Sequence, residues 1–323
     1  MVRKWTFLIL VFVSLKAIAQ DTTSAVPTAY GPPTPVKSTR HGNIYQRQWL
    51  VGSASALSYG GSFIFLNEAW YKGYPRTSFH TFNDAGEWLQ MDKIGHAWTA
   101  YHTSRVTSQV WRWSGMRDKK AILLGTGTSL LYMLSIEYLD GRSAQWGWSW
   151  PDAGADIFGA SLFAAQELGW KDLRIWIKYS SHYKTYPSAS LHQRADDLFG
   201  KSLPERLLKD YNAQTYWLSL NLYSLFAAKK VPTWLNLALG YGADGMYGGY
   251  ENLARDKEGN IFFDRRDIKR YRQWYLAPDI DLTKIKTKSR FLQAAFSVFN
   301  CIKIPAPALE FSNGKLRGHF LLF

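Results

Sequence analysis

The feature that most constrains this chain is a change of hydrophobic period near Trp170. Before it, apolar residues come in runs of helical length. Trp49 to Leu66 carries no charged residue, and Gly52, Ala54, Ala56, Gly60 and Gly61 suit it to close helix packing. Asn83, Asp84 and Glu87 read as a helix start ahead of the stretch Trp88 to Val110, and Arg117 to Lys120 introduces a third run, Ala121 to Leu139. Pro151 and Asp152 open a fourth helix that reaches about Leu168, with proline where a missing amide is tolerated. After Trp170 the period becomes two. Leu173, Ile175, Ile177 and Tyr179 alternate with Arg174, Trp176 and Lys178, and the same alternation recurs over Tyr216 to Leu222 and Leu235 to Tyr241. A strand over Arg270 to Leu282, an amphipathic helix over Lys288 to Ile302, and an Asn313-Gly314 hairpin complete the pattern. The expected fold is α+β: about four helices, then an antiparallel sheet or partial barrel with one amphipathic helix. The strands number about six or seven, short of the eight in the smallest usual membrane barrel.

The N-terminus reads as an address. Arg3 and Lys4 precede the apolar run Trp5 to Leu15, and Ala17-Ile18-Ala19 offers small residues for cleavage near Ala19. The expected organisation is a signal peptide over 1–19, a Pro/Thr/Ser-rich tether over 20–43, a helical module over 44–170 and a β region over 171–323. The single cysteine, Cys301, has no internal disulfide partner and sits in an apolar stretch, which suits a buried thiol rather than a nucleophile. Aromatic residues make up 16% of the chain, with 15 Trp and 19 Tyr, the types that favour membrane–water interfaces. The net charge of +14 is spread without a basic run, zinc-finger spacing or helix-turn-helix pattern, so no nucleic-acid partner is expected. These features point to the cell envelope, with the outer membrane or periplasm ahead of the inner membrane because Gly and Ser dilute the helices. They leave the oligomeric state open.

Two pairs of polar residues stand out within the helical half. Asp92 and His96, four apart, share one helix face, and Asp152 and Asp156 repeat that spacing. Between the pairs lie Glu137 and Arg142, followed by Trp146, Trp148 and Trp150. In an apolar helical module, burying Asp92, His96, Glu137, Asp152 and Asp156 unpartnered would cost several kcal/mol each, so they must pair or bind something. The Asp-Lys-x-x-His helix, the Glu ahead of a tight segment, and Asp-x-x-x-Asp with a following Gly together resemble the VanZ group, most closely its YfiM-like exported branch. The resemblance covers roughly Leu66 to Gly169. Asp156 stands where the usual VanZ pattern has Asn, and the attached strands are not part of that pattern. The resemblance implies a compact helical module with polar residues converging at its centre, of unknown activity.

Three uses of the cluster compete. Lys93, Arg142 and the indoles of Trp146, Trp148 and Trp150 would hold an anionic lipid or glycan headgroup beside the acidic residues. Alternatively Asp92, His96, Asp152 and Asp156 would ligate a divalent metal, with a carboxylate as base in hydrolysis of an envelope lipid or phosphate ester; the residues do not otherwise fix a cofactor. The third use is a purely structural network joining helices.

Overall fold

The computed structural model describes residues 41–67, 74–226, 230–256 and 258–322. The expected leader over 1–19, nearly all of the expected tether and the terminal Phe323 lie outside the described residues. The helical half contains α1 (His41–Leu66), a 3-10 turn (Glu87–Gln90), α2 (Met91–Trp113), α3 (Asp118–Asp140) and α4 (Trp150–Gly169). Helix α2 is central and packs on both α3 and α4. Glycine makes both crossings close: a Cβ on Gly125 of α3 would strike Ser108, and one on Gly159 of α4 would strike the Ala97 carbonyl. At the start of α4, the Ser149 side chain accepts from the Asp152 amide, with Pro151 in the first turn.

The α+β order of the sequence reading stands. Strands β1 (Ile175–Ser181), β2 (Gln214–Asn221), β3 (Leu235–Asp244), β6 (Tyr271–Ile280), β7 (Ala306–Ser312) and β8 (Lys315–Leu322) form one antiparallel sheet in the order β1-β2-β3-β6-β7-β8. A separate hairpin pairs β4 (Leu253–Arg255) with β5 (Ile261–Asp264). Among the described residues β8 has a strand partner on its β7 side alone, so the sheet is a wall and not a closed barrel. The amphipathic helix is α8 (Arg290–Phe299). Two helices that the sequence reading left out, α5 (Ala189–Phe199) and α6 (Leu203–Lys209), lie between β1 and β2, and a single turn, α7 (Leu222–Leu225), follows β2. Gly240 and Gly242 lie inside β3, and Gly240 leaves room for the Trp217 ring.

The two halves share a core. Tyr101 and Phe163 from the helices pack with Leu173, Trp176 and Ile177, and Met91 packs with Tyr216, Ala243 and Met246. Helices α2 and α4 also serve the outer edge of β1. The Ile175 carbonyl accepts from the Tyr101 hydroxyl at 2.9 Å and from Gln166 Nε2 at 3.0 Å, and the Ile177 carbonyl lies 2.7 Å from His102 Nε2. Further along that edge, Tyr179 N–H donates to the Cys301 carbonyl (2.9 Å) and the Tyr179 carbonyl accepts from Lys303 N–H (2.8 Å). Cys301 is half-buried rather than fully enclosed, and its thiol donates to the Val298 carbonyl.

A carboxylate chamber between the helices

Helix α2 begins three residues later than the sequence suggests. Trp88, Leu89 and Gln90 hold positive φ of 48°, 51° and 67°, a left-handed run that L-residues adopt only at a cost of roughly 1–2 kcal/mol each. Their neighbours fix them: Tyr241 O–H donates to the Leu89 carbonyl (2.5 Å), Trp88 N–H to the Gly249 carbonyl (2.7 Å), and Arg272 Nη2 to Gln90 Oε1 (2.7 Å). Asp84, read as part of a helix start, instead lies before this turn. The segment around it is held along residues 141–149, with Phe82 N–H donating to the Trp148 carbonyl and Trp148 N–H to that of His80, both 2.9 Å.

The turn delivers Lys93 into a ring of acids. Its Nζ lies 2.5 Å from Asp84 Oδ2, 2.8 Å from Asp92 Oδ2 and 3.1 Å from Asp152 Oδ1. One helical turn on, His96 Nδ1 is 3.1 Å from Asp156 Oδ1 and 3.7 Å from Glu137 Oε1. Facing two carboxylates, that nitrogen is a donor. Ser149 ties the groups together: its hydroxyl donates to Asp84 Oδ1 (2.6 Å), its N–H donates to Glu137 Oε2 (3.2 Å), and its oxygen accepts from the Asp152 amide (3.0 Å). The result is one continuous network in which Asp84, Glu137, Asp152 and Asp156 are buried, and Asp92 and His96 half-buried.

The charges do not balance. Asp84, Glu87, Asp92, Glu137, Asp152 and Asp156 gather around Lys93 and His96, with Arg270 beside Glu87. Burial and the nearby Asp92 charge push the Glu87 carboxyl up to about 7, with Lys93 offsetting only part of the effect. Burial also works against ionised Asp84, but hydrogen bonds to Asp152, Lys93 and Ser149 outweigh it and hold that carboxyl below the ordinary aspartate range. Ligand atoms of His96, Glu137 and Asp156 lie within 4.8 Å of one another, as do those of Asp84, Glu87 and Asp92. Asp156 is fully buried, and its Oδ2 has no hydrogen-bond partner among the described residues.

Of the residues singled out in the sequence, the structure brings Asp92, Lys93, His96, Glu137, Asp152 and Asp156 together and leaves the rest apart. Arg142 is exposed and lines a shallow depression with Tyr74, Arg76 and Tyr138. Trp146 packs edge-on against Tyr74, Trp148 lies between Phe79 and Trp150, and Trp150 is exposed. Sequence reasoning missed Asp84 and Glu87 as members of the chamber, and Ser149 as its connector. The Ser149-x-x-Asp152 spacing of a helix cap was a readable signal for the last.

Residues 81–166 match the model of a domain family described as a predicted periplasmic lipoprotein (DUF2279). The match starts ahead of the 3-10 turn and ends within α4, so it contains every residue of the chamber and none of the sheet. No curated protein and no solved structure matches the chain. The family description supports an envelope protein of unknown activity, while the one cysteine in this sequence is Cys301.

Proposed function

We propose that the chamber binds a divalent metal ion through His96, Glu137 and Asp156. The observation that carries this reading is the grouping of one ligand atom each from His96, Glu137 and Asp156 within 4.8 Å of one another, with the buried Asp156 Oδ2 lacking a hydrogen-bond partner among the described residues. One imidazole and two carboxylates suit a borderline transition ion, and three protein ligands leave coordination positions for water or substrate. The Ser149 N–H donates to Glu137 Oε2 and fixes the direction of that carboxylate, as hydrogen bonds behind metal ligands do. A metal replaces the proton that His96 Nδ1 otherwise donates to Asp156, so affinity rises with pH.

The excess of carboxylates argues against an anionic headgroup entering the chamber, and Arg142 lies outside it. Metal-assisted hydrolysis of an envelope ester remains the chemistry such a site would support. The outer-membrane location, the closer likeness to the YfiM and VanZ group, and the division at 170/171 belong to this reading as well. They rest on the N-terminal address, on the Asp92-Lys93-x-x-His96 helix and on the change of period. The test is elemental analysis of full-length protein after dialysis against zinc, manganese or nickel, beside His96→Ala and Asp156→Asn. One ion per chain that both variants lose is expected; folded wild type without metal, or variants that keep it, would overturn the reading.

A further inference from the structure

The sheet leaves one apolar face open. Across its strands runs the row Ile177, Leu218, Leu239, Leu276, Leu309 and Gly318, flanked by a second row of Tyr216, Tyr241, Trp274, Phe311 and Leu316. From β3 outward this face is bare, with Leu239 48%, Trp274 53%, Phe311 53% and Leu316 69% exposed. The opposite face is buried from β1 to β7: Lys178 and Asp279 form a 2.7 Å ion pair, Ser219 and Asn236 continue the network, and Trp217, Ala238, Tyr275 and Ala277 pack beside it. A sheet with a buried, partly charged face behind it and open leucine and aromatic rows in front presents the outward apolar band of strands that face lipid.

We infer that this face of the sheet, together with the outer sides of α3 and α4, lies against the hydrocarbon of a bilayer. Strands β3 and β6 are ten residues each, the length a tilted strand needs to cross the hydrocarbon layer. Helix α3 has 23 residues, and little of its apolar stretch is buried within the protein; Leu124 and Leu131 point outward, as do Ile157 and Phe158 of α4. A bilayer also demands that edge backbone groups be satisfied internally; α2, α4 and residues 301–303 do this for β1, whereas β8 keeps an open outer edge among the described residues, so the lipid contact is assigned to β3, β6 and β7. The inference deepens the envelope reading and is independent of the metal site.

The test uses full-length protein in vesicles of phosphatidylethanolamine and phosphatidylglycerol. On a Cys301→Ser background, single cysteines at Leu239, Leu276 and Phe311 carry spin labels, with Tyr183, in the exposed loop after β1, as the aqueous reference. Labels at the three sheet positions should collide with dissolved oxygen more than with a water-soluble nickel chelate, and the label at Tyr183 the reverse. Equal access of the nickel chelate to all four positions would overturn the inference. Exclusion of both reagents from the sheet would also overturn it, by placing protein on that face. Unsubstituted protein gives a second reading: a lipid-soluble diazirine should label the peptides of β3 and β6, and its absence from them counts against lipid contact. Metal content measured on the same vesicles separates failure here from failure of the metal site.

Discussion

The molecule buries charge in two places and treats it differently. Behind the sheet, Lys178 Nζ reaches Asp279, the Ile280 carbonyl at 2.7 Å and Asn300 Oδ1 at 3.2 Å, while Lys303 lies 3.6 Å from Asp279 and over the Trp217 ring. Two lysines there meet Asp279 and Asp281, and Asn300 bridges Lys178 to Asp281. In the helical half, six carboxyl groups outnumber the bases Lys93, His96 and Arg270; buried carboxylate oxygens without hydrogen-bond partners occur among the described residues of both networks, so the difference lies in the balance of charge. A balanced network needs nothing further and behaves as structure. The unbalanced one is stable only with added protons or an added cation, which makes the helical chamber, and not the sheet interior, the place for a ligand.

The largest effect should come from breaking the balanced network. Lys178→Ala leaves Asp279 buried with its closest cation gone, and should cost about 3–5 kcal/mol in denaturant unfolding. Asp156→Asn in the chamber should stay within about 1 kcal/mol of wild type without added metal, because it removes charge from an overcharged site. Equal losses in the two variants would erase the contrast.

Metal sharpens it. At a hundredfold excess over the dissociation constant, a bound ion should raise wild-type stability by about 2.7 kcal/mol, read as an upward shift in melting temperature, and leave Asp156→Asn unmoved. A smaller effect is expected from Gly159→Ala. The new methyl pushes α4 off the Ala97 carbonyl at a cost of about 1–3 kcal/mol and separates Asp156 from His96, so metal affinity falls too. The smallest concerns Glu87. Its folded value of about 7 lies above its ordinary 4.5, so the folded protein holds the extra proton and stability drains away as pH climbs between those values. Glu87→Gln should flatten that slope, with its melting temperature above wild type at pH 8.

Much of the fold was legible because period is a local property. Leu235, Leu237 and Leu239 announce one face of β3 without knowledge of any neighbour, and Asn313-Gly314 marks its hairpin unaided. Helix α5 was readable as well, since Leu191, Ala195 and Phe199 fall four apart, but the charged residues between them hide the stripe. The chamber was only half legible. Asp92 with His96, and Asp152 with Asp156, share helix faces by spacing, whereas Asp84 joins them through a left-handed turn that no periodicity encodes. Arg142 shows the opposite error: closeness in sequence to Glu137 and Asp152 places it just past the end of α3, facing outward.

The way β1 is finished has a consequence for how the two halves can diverge. Where strand meets strand, hydrogen bonds belong to the backbone and survive almost any substitution. Here the boundary bonds come from a phenol, an imidazole and an amide on α2 and α4. Tyr101, His102 and Gln166 thus act as a seam written in side chains, and a change at any of them reaches the sheet through the helices without touching a strand residue.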